Sequence, residues 1–149
     1  MSAFHKIEKL IKENEIKFLD LRFSDTIGKE HHVTLPVSAV SEDLFKIGQP
    51  FDGSSIEGWK GIEASDMLLR PDASTVRFDP FFDDAPLFVT CDVIEPSTME
   101  SYDRCPRGIA KKAEKFIQES GLADTAYFGP EPEFFIFDSV TWGADMSGC

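Results

Sequence analysis

Cysteine is scarce in this sequence: Cys91, Cys105 and Cys149 are an odd number, widely spaced, with no CxxC pair among them. That pattern indicates neither a disulfide framework nor a zinc knuckle, and a reducing, cytoplasmic setting fits it best. No apolar run approaches the roughly 18 residues needed to cross a bilayer, and no charged-then-apolar leader opens the chain, so a soluble, unexported protein is expected. Basic residues are also few, 15 Lys and Arg against 27 Asp and Glu, for a net charge of -12. Such a surface repels nucleic-acid phosphates and anionic lipid heads but accepts cations. Neither nucleic acid nor membrane is an expected partner. No Gly-Lys-Ser/Thr follows a glycine-rich stretch, which removes a Walker-type phosphate cradle, and no internal repeat or low-complexity segment is visible.

What is present is a chain able to fold. Its 149 residues, 42% apolar and 28% charged, suffice for one domain or one small domain with part of another. Fourteen Phe against two Tyr and two Trp put most of the aromatic mass in residues without a polar handle, which read as core. Phe4, Ile7, Leu10 and Ile11 recur at helical spacing and predict an amphipathic helix from Ser2 to Asn14. Leu19, Leu21 and Phe23 then alternate with Asp20 and Arg22, and Asp25-Thr26-Ile27-Gly28 supplies turn residues before Lys29 to Leu35, so a hairpin is expected. Ser41, followed by Glu42 and Asp43, caps a short helix carrying Leu44 and Phe45 that Gly48 ends.

From Gly48 to Asp66, glycines, Pro50 and the isolated Trp59 break every periodicity, and a long functional loop is expected there. Short strands resume at Met67 to Arg70, Thr75 to Asp79 and Leu87 to Ile94, giving one antiparallel or mixed sheet covered by the first helix. Pro96 to Asp103 is polar and reads as a linker. Beyond it, Pro106 starts a helix with Ile109, Ala113, Phe116 and Ile117 as its buried stripe and Gly121 as its end. Thr125 to Asp138 reads as an apolar strand, interrupted by Pro130-Glu131-Pro132-Glu133 and dry over at least part of its length. One helix and one strand have too little partner surface to form a domain, so the chain is expected to be the front part of a longer protein.

Two constellations could carry chemistry. Glu131 and Glu133, at i and i+2 in extended chain, leave the same face roughly 7 Å apart. Paired anions beside Phe134-Phe135-Ile136-Phe137 are costly unless a cation neutralises them or one holds a proton, and carboxylate oxygens suit Mg²⁺ or Mn²⁺. Two glutamates on the solvent face of an edge strand satisfy the spacing equally well, and a shared proton for acid-base work is a third reading. The second constellation is Phe51-Asp52-Gly53-Ser54-Ser55, where Asp52 beside two hydroxyls can bind a cationic group; an ordinary Asp-Gly turn explains it too. Three lesser candidates have plain readings. His31 and His32 alternate faces and read as a solvated pair, Trp59 either stacks on a planar ligand or anchors its loop, and Cys91 packs as a small apolar group.

Together these segments resemble glutamine synthetase, closest to the bacterial class I enzyme. Phe51-Asp52-Gly53-Ser54-Ser55 followed by Ala64-Ser65-Asp66 is similar to that family's amino-terminal signature, and Gly129-Pro130-Glu131-Pro132-Glu133-Phe134-Phe135 to its first metal-ligand strand. The resemblance implies an α+β fold, with a β-grasp domain at residues 1–103 and, at 104–149, the first helix and strand of an incomplete α/β catalytic domain. It implies an ATP-dependent ligase joining glutamate and ammonium through γ-glutamyl phosphate at a site with two Mg²⁺ or Mn²⁺ ions. By position, Glu133 matches the ligand of the metal that supports glutamate and ammonium, and Glu131 that of the metal beside the ATP phosphates. Asp52 matches the residue that binds ammonium and takes its proton, with Ser55 its neighbour. Trp59 and Asp66 match positions on the loop that reaches an adjacent subunit in a dodecamer of two hexameric rings.

The remaining metal ligands and the nucleotide and glutamate pockets lie, in the family, beyond Cys149, so the 149-residue chain alone is expected to be inactive. Two rival readings stand beside this one. A stand-alone β-grasp module would bind a partner or a cation without catalysis, and a regulator would insert the Asp52 loop into complete rings and poison their shared sites.

Overall fold

The sheet is organised around one long strand. In the computed structural model, which describes residues 3–82 and 86–143, β6 (Leu87–Glu95) pairs with four other strands along its two halves. Its first half lies parallel to β1 (Phe18–Ser24) and antiparallel to the two-residue β5 (Arg77–Phe78). Its second half lies antiparallel to β4 (Asp66–Pro71) and to β7 (Glu100–Ser101). With β2 (Glu30–Pro36) beside β1 and β3 (Gln49–Asp52) beside β4, the order is β2-β1-β6-β4-β3. Alternate residues of the central strands face the core: Leu19 and Leu21 of β1, Met67 and Leu69 of β4, and Leu87, Val89 and Val93 of β6 are fully buried.

The amphipathic pattern at the start forms α1 (Ala3–Glu13), which buries Ile7 and packs Leu10 and Ile11 against the sheet; Ser2, its expected first residue, lies outside the described residues. The expected hairpin of β1 and β2 forms, with Leu21 opposite Val33. Asp25 holds its turn, accepting from the amides of Ile27 at 3.0 Å and Lys29 at 2.9 Å. Ser41 caps α2 (Glu42–Lys46), its hydroxyl accepting from the Leu44 amide. The α3 helix (Pro106–Ser120) starts at the expected proline and ends at the left-handed Gly121. Among the described residues no helix is long and apolar enough to cross a membrane.

Four expectations need correction. The stretch after Gly48 is not structureless: β3 pairs there with β4, with Pro50 opposite Leu68. An edge strand tolerates proline because one side of it needs no donors, which is why the prolyl and glycyl pattern hid it. Pro96 to Asp103 is not a linker but a turn that returns as β7 onto β6, through Met99 at φ 58° with its amide donating to the Glu95 carbonyl at 2.8 Å. The stripe of α3 is not buried; Ile109 is 53% and Phe116 67% exposed, and the helix's buried residue is Gly108. The expected dry strand at Thr125 to Asp138 is irregular and exposed, Phe134 to 78% and Phe135 to 87%. No described strand takes up its amides and carbonyls, and an unpaired strand has no ladder to hold it.

Candidate functional site

The Asp52 loop is built from the β3–β4 pair. Asp52, the last residue of β3, stands opposite Asp66 at the start of β4, and the Gly53 amide donates to the Ser65 carbonyl at 2.7 Å. Glycine at 53 lets the Met67 side chain pack against the loop, since a Cβ there would meet its sulfur at 2.3 Å and force it to shift. The Asp52 carboxylate then accepts three hydrogen bonds: from the Ser54 amide at 2.8 Å, the Ser54 hydroxyl at 2.6 Å and the Ser55 hydroxyl at 3.1 Å. The Ser54 hydroxyl, followed by the Ser54 amide, holds this carboxyl below its ordinary value, because both bonds favour the charged form. Asp52 is therefore a fixed, exposed anion at neutral pH.

Trp59 is an anchor in this chain. It is 6% exposed, its ring lies 5.8 Å from Phe23, 6.4 Å from Phe51 and 5.3 Å from Tyr102, and its indole nitrogen is buried without a partner among the described residues. Tilted and edge-on ring contacts, rather than a bond from its indole nitrogen, hold its side chain.

The curl of the sheet brings its two edge strands to one cleft of about 450 Å³, lined by Lys29, His31 and Val33 from the hairpin and by Phe51, Asp52 and Ser55 from the loop. His31 stacks on Phe23 at 5.4 Å and its Nε2 lies 2.8 Å from Asp25. His32, on the opposite face, has its Nδ1 2.8 Å from Asp20. The expected solvated pair is corrected for His31, which is partly buried, while His32 is exposed; each histidine meets its own carboxylate, and both border the cleft. The alternation of β2 already placed His31 with Val33 and Leu35, which was the available signal for its position beside the loop. Cys91 is buried as expected, and burial, first among its causes, pushes its thiol up; Cys149 lies outside the described residues.

The structure brings Asp52, Ser55, Trp59 and Asp66 into one region and leaves Glu131 and Glu133 elsewhere. Both glutamates are exposed on the irregular segment, and neither lines the cleft beside Asp52. Among the described residues no group of three His, Cys, Asp or Glu side chains could hold a metal ion. Their oxygens are the right donors for Mg²⁺ or Mn²⁺ in kind but too few to enclose one.

A curled mixed sheet spanned by a helix, with an acidic, serine-bearing loop at its rim, is a β-grasp unit, and the sequence comparisons agree. The family model described as "Glutamine synthetase, beta-Grasp domain" matches residues 15–96, and "Glutamine synthetase, catalytic domain" matches residues 103–149. The chain belongs to the glutamine synthetase family. It is 61% identical over 140 residues to glutamine synthetase of Methylococcus capsulatus, and 55% identical over 148 residues to that of Escherichia coli K12. It is also 61% identical over 143 residues to a relative from Cupriavidus pinatubonensis named 3-hydroxylaminophenol mutase. These alignments take in 94%, 99% and 96% of the chain, yet it spans only 30–31% of the relatives' length. Among solved structures, Plasmodium falciparum glutamine synthetase superposes with a TM-score of 0.72 at 24% identity, over 81% of this chain and 23% of that one, a likeness of fold alone.

Proposed function

We propose that this chain is the amino-terminal part of an ATP-dependent glutamate–ammonia ligase. Residues 1–103 form its β-grasp domain and 104–149 the opening of its catalytic domain. The observation that carries the reading is the Asp52 carboxylate, held anionic by Ser54 and Ser55 at the rim of a cleft in a family member.

In this reading a γ-carboxylate oxygen of glutamate takes the terminal phosphoryl group of ATP, releasing ADP. Ammonia then attacks the acyl phosphate carbon and phosphate leaves. Ammonium must first lose a proton, and an anion beside it both attracts the cation and can accept that proton. The low pKa of Asp52 makes it the better attractor and the weaker base in the isolated chain. Coverage by a second subunit would desolvate it and raise its basicity. Trp59 and Asp66 lie on the same inter-subunit loop, and a cytoplasmic dodecamer of two hexameric rings would make each site a shared one. Glu131 and Glu133 would each ligate one of two Mg²⁺ or Mn²⁺ ions, joined by ligands from elsewhere in the full-length protein. Such ions neutralise charge on the transferring phosphoryl group.

Glutamine formation from glutamate, ammonium and ATP tests this. The full-length protein should turn over, Asp52→Asn should raise its ammonium KM by about tenfold or more, and the 149-residue chain should be inactive. No ammonium-dependent glutamine from the full-length protein would overturn the reading. The mutase-named relative adds one control: conversion of 3-hydroxylaminophenol without ATP would favour that activity instead.

A further inference from the structure

Trp59 and its two neighbours are tied down by their main chain and charge as well as by packing. The Tyr102 hydroxyl donates to the Trp59 carbonyl at 3.0 Å, and the Arg104 guanidinium donates to the Gly58 carbonyl. Lys60 pairs with Glu95, and its ammonium lies 5.3 Å from the centre of the Tyr102 ring. Three consecutive residues at the loop tip are thus held, and the partners in these three contacts lie between positions 95 and 104. Gly58 has φ 76°, a left-handed conformation that suits glycine. Tyr102 is itself fixed, its amide donating to the Val93 carbonyl at 2.9 Å. Two residues after Arg104 α3 begins, and Arg107 pairs with Asp72 and Asp92 on the sheet.

The base of the loop is secured separately, by the β3–β4 ladder and the bond from the Gly53 amide to Ser65. Releasing the tip should therefore leave the fold in place and loosen what lies between.

We propose that Tyr102 and Arg104 are positioning residues: they hold residues 58–60 from the segment that leads into α3, and through them set the place of the Asp52–Ser55 loop. This rests on the reading of that loop as the ammonium subsite. Tyr102 and Arg104 touch no reacting atom. They act by restricting the loop to the arrangement in which the Asp52 anion faces the cleft, so their loss should weaken ammonium binding more than turnover.

The test has two arms. In the 149-residue chain carrying Trp142→Phe, Trp59 is the sole tryptophan, and its acrylamide quenching reports the tip. Tyr102→Phe, which keeps the ring, and Arg104→Gln should each raise quenching by about twofold or more with the unfolding midpoint retained, and Arg104→Lys should restore it. In the full-length protein the same variants should raise the ammonium KM about two- to tenfold, the worth of one hydrogen bond, with kcat and the glutamate KM within about twofold. Unchanged quenching overturns the proposal. So does an unchanged ammonium KM while Asp52→Asn raises it. Equal damage to kcat and every KM, or a collapsed midpoint in both single variants, would assign the pair to folding alone and also overturn it. If Asp52→Asn itself leaves the ammonium KM unchanged, the subsite reading fails and takes the proposal with it.

Discussion

The ring of Phe23 on β1 lies 5.1 Å from the ring of Phe51 on β3, although β6 and β4 stand between those strands in the hydrogen-bonded order. Contact across that interval requires the sheet to curl, and the pair closes the floor beneath the Asp52 loop. Phe23, 4% exposed, also meets Trp59 and His31. Phe23→Ala should therefore cost about 3–5 kcal/mol in denaturant unfolding. A double-mutant cycle with Phe51→Ala should give a coupling of about 0.5–1.5 kcal/mol, and strict additivity would count against the curl.

Acid should unfold the β-grasp part through carboxylates whose charged forms are stabilised. Burial pushes the Asp20 carboxyl up, but hydrogen bonds from His32, Arg22 and Thr34 together outweigh it and hold it below its ordinary value. Asp25 is lowered first by His31 and then by the Lys29 and Ile27 amides, and Asp79 first by the Phe81 amide and then by Arg22. A folded pKa below the unfolded one gives stability that is complete above the unfolded value and is lost as pH falls through the folded value. The urea midpoint should be flat with respect to these groups from pH 7 to about 5 and fall below about pH 4, and Asp20→Asn should make that fall shallower.

The helix that opens the second family-matched part is held to the sheet by charge. Arg107 bridges Asp72 and Asp92, and Lys111 meets Asp92 at 2.6 Å, with the Arg107 and Lys111 side chains 29% and 49% exposed. Partly solvated pairs contribute little, so Arg107→Ala should cost only about 1 kcal/mol. Amide exchange in α3 should speed up, and about 1 M salt should mimic the effect, since screening then acts within about 3 Å.

Thiol chemistry should separate the cysteines. Cys91 and Cys105 are 1% and 2% exposed, and burial raises the Cys91 thiol. In a Cys149→Ser variant, a disulfide reagent at about pH 8 should label neither thiol in the native state and both after unfolding, since only an accessible thiolate reacts. Fast native labelling would place those residues outside the core.

Much of this was legible because the determinants are local. The period of α1, the alternation of β1, the Asp25 turn and the Ser41 cap each declare themselves within a few residues. What escaped depends on partners. Pro50 hid β3, which exists because β4 supplies its ladder, and the polar run before Asp103 hid β7, which exists because β6 does. Apolar residues on α3 and from Phe128 to Phe137 were expected to be buried, yet burial needs a second surface, and no described element supplies one. Asp52 and Ser55 were legible as a pair from their motif. The supports of Trp59 at Tyr102 and Arg104 lie some 43 and 46 positions from the carbonyls they reach, at a separation no periodicity reports.

The most direct test of the account is manganese binding and glutamine formation by the full-length protein with Glu131 and Glu133 both replaced by glutamine. Loss of both glutamates should weaken manganese binding and turnover by about a hundredfold or more, because on the proposed reading each of the two ions would lose one charged ligand. Unchanged metal affinity and unchanged turnover in Glu131→Gln/Glu133→Gln would contradict it.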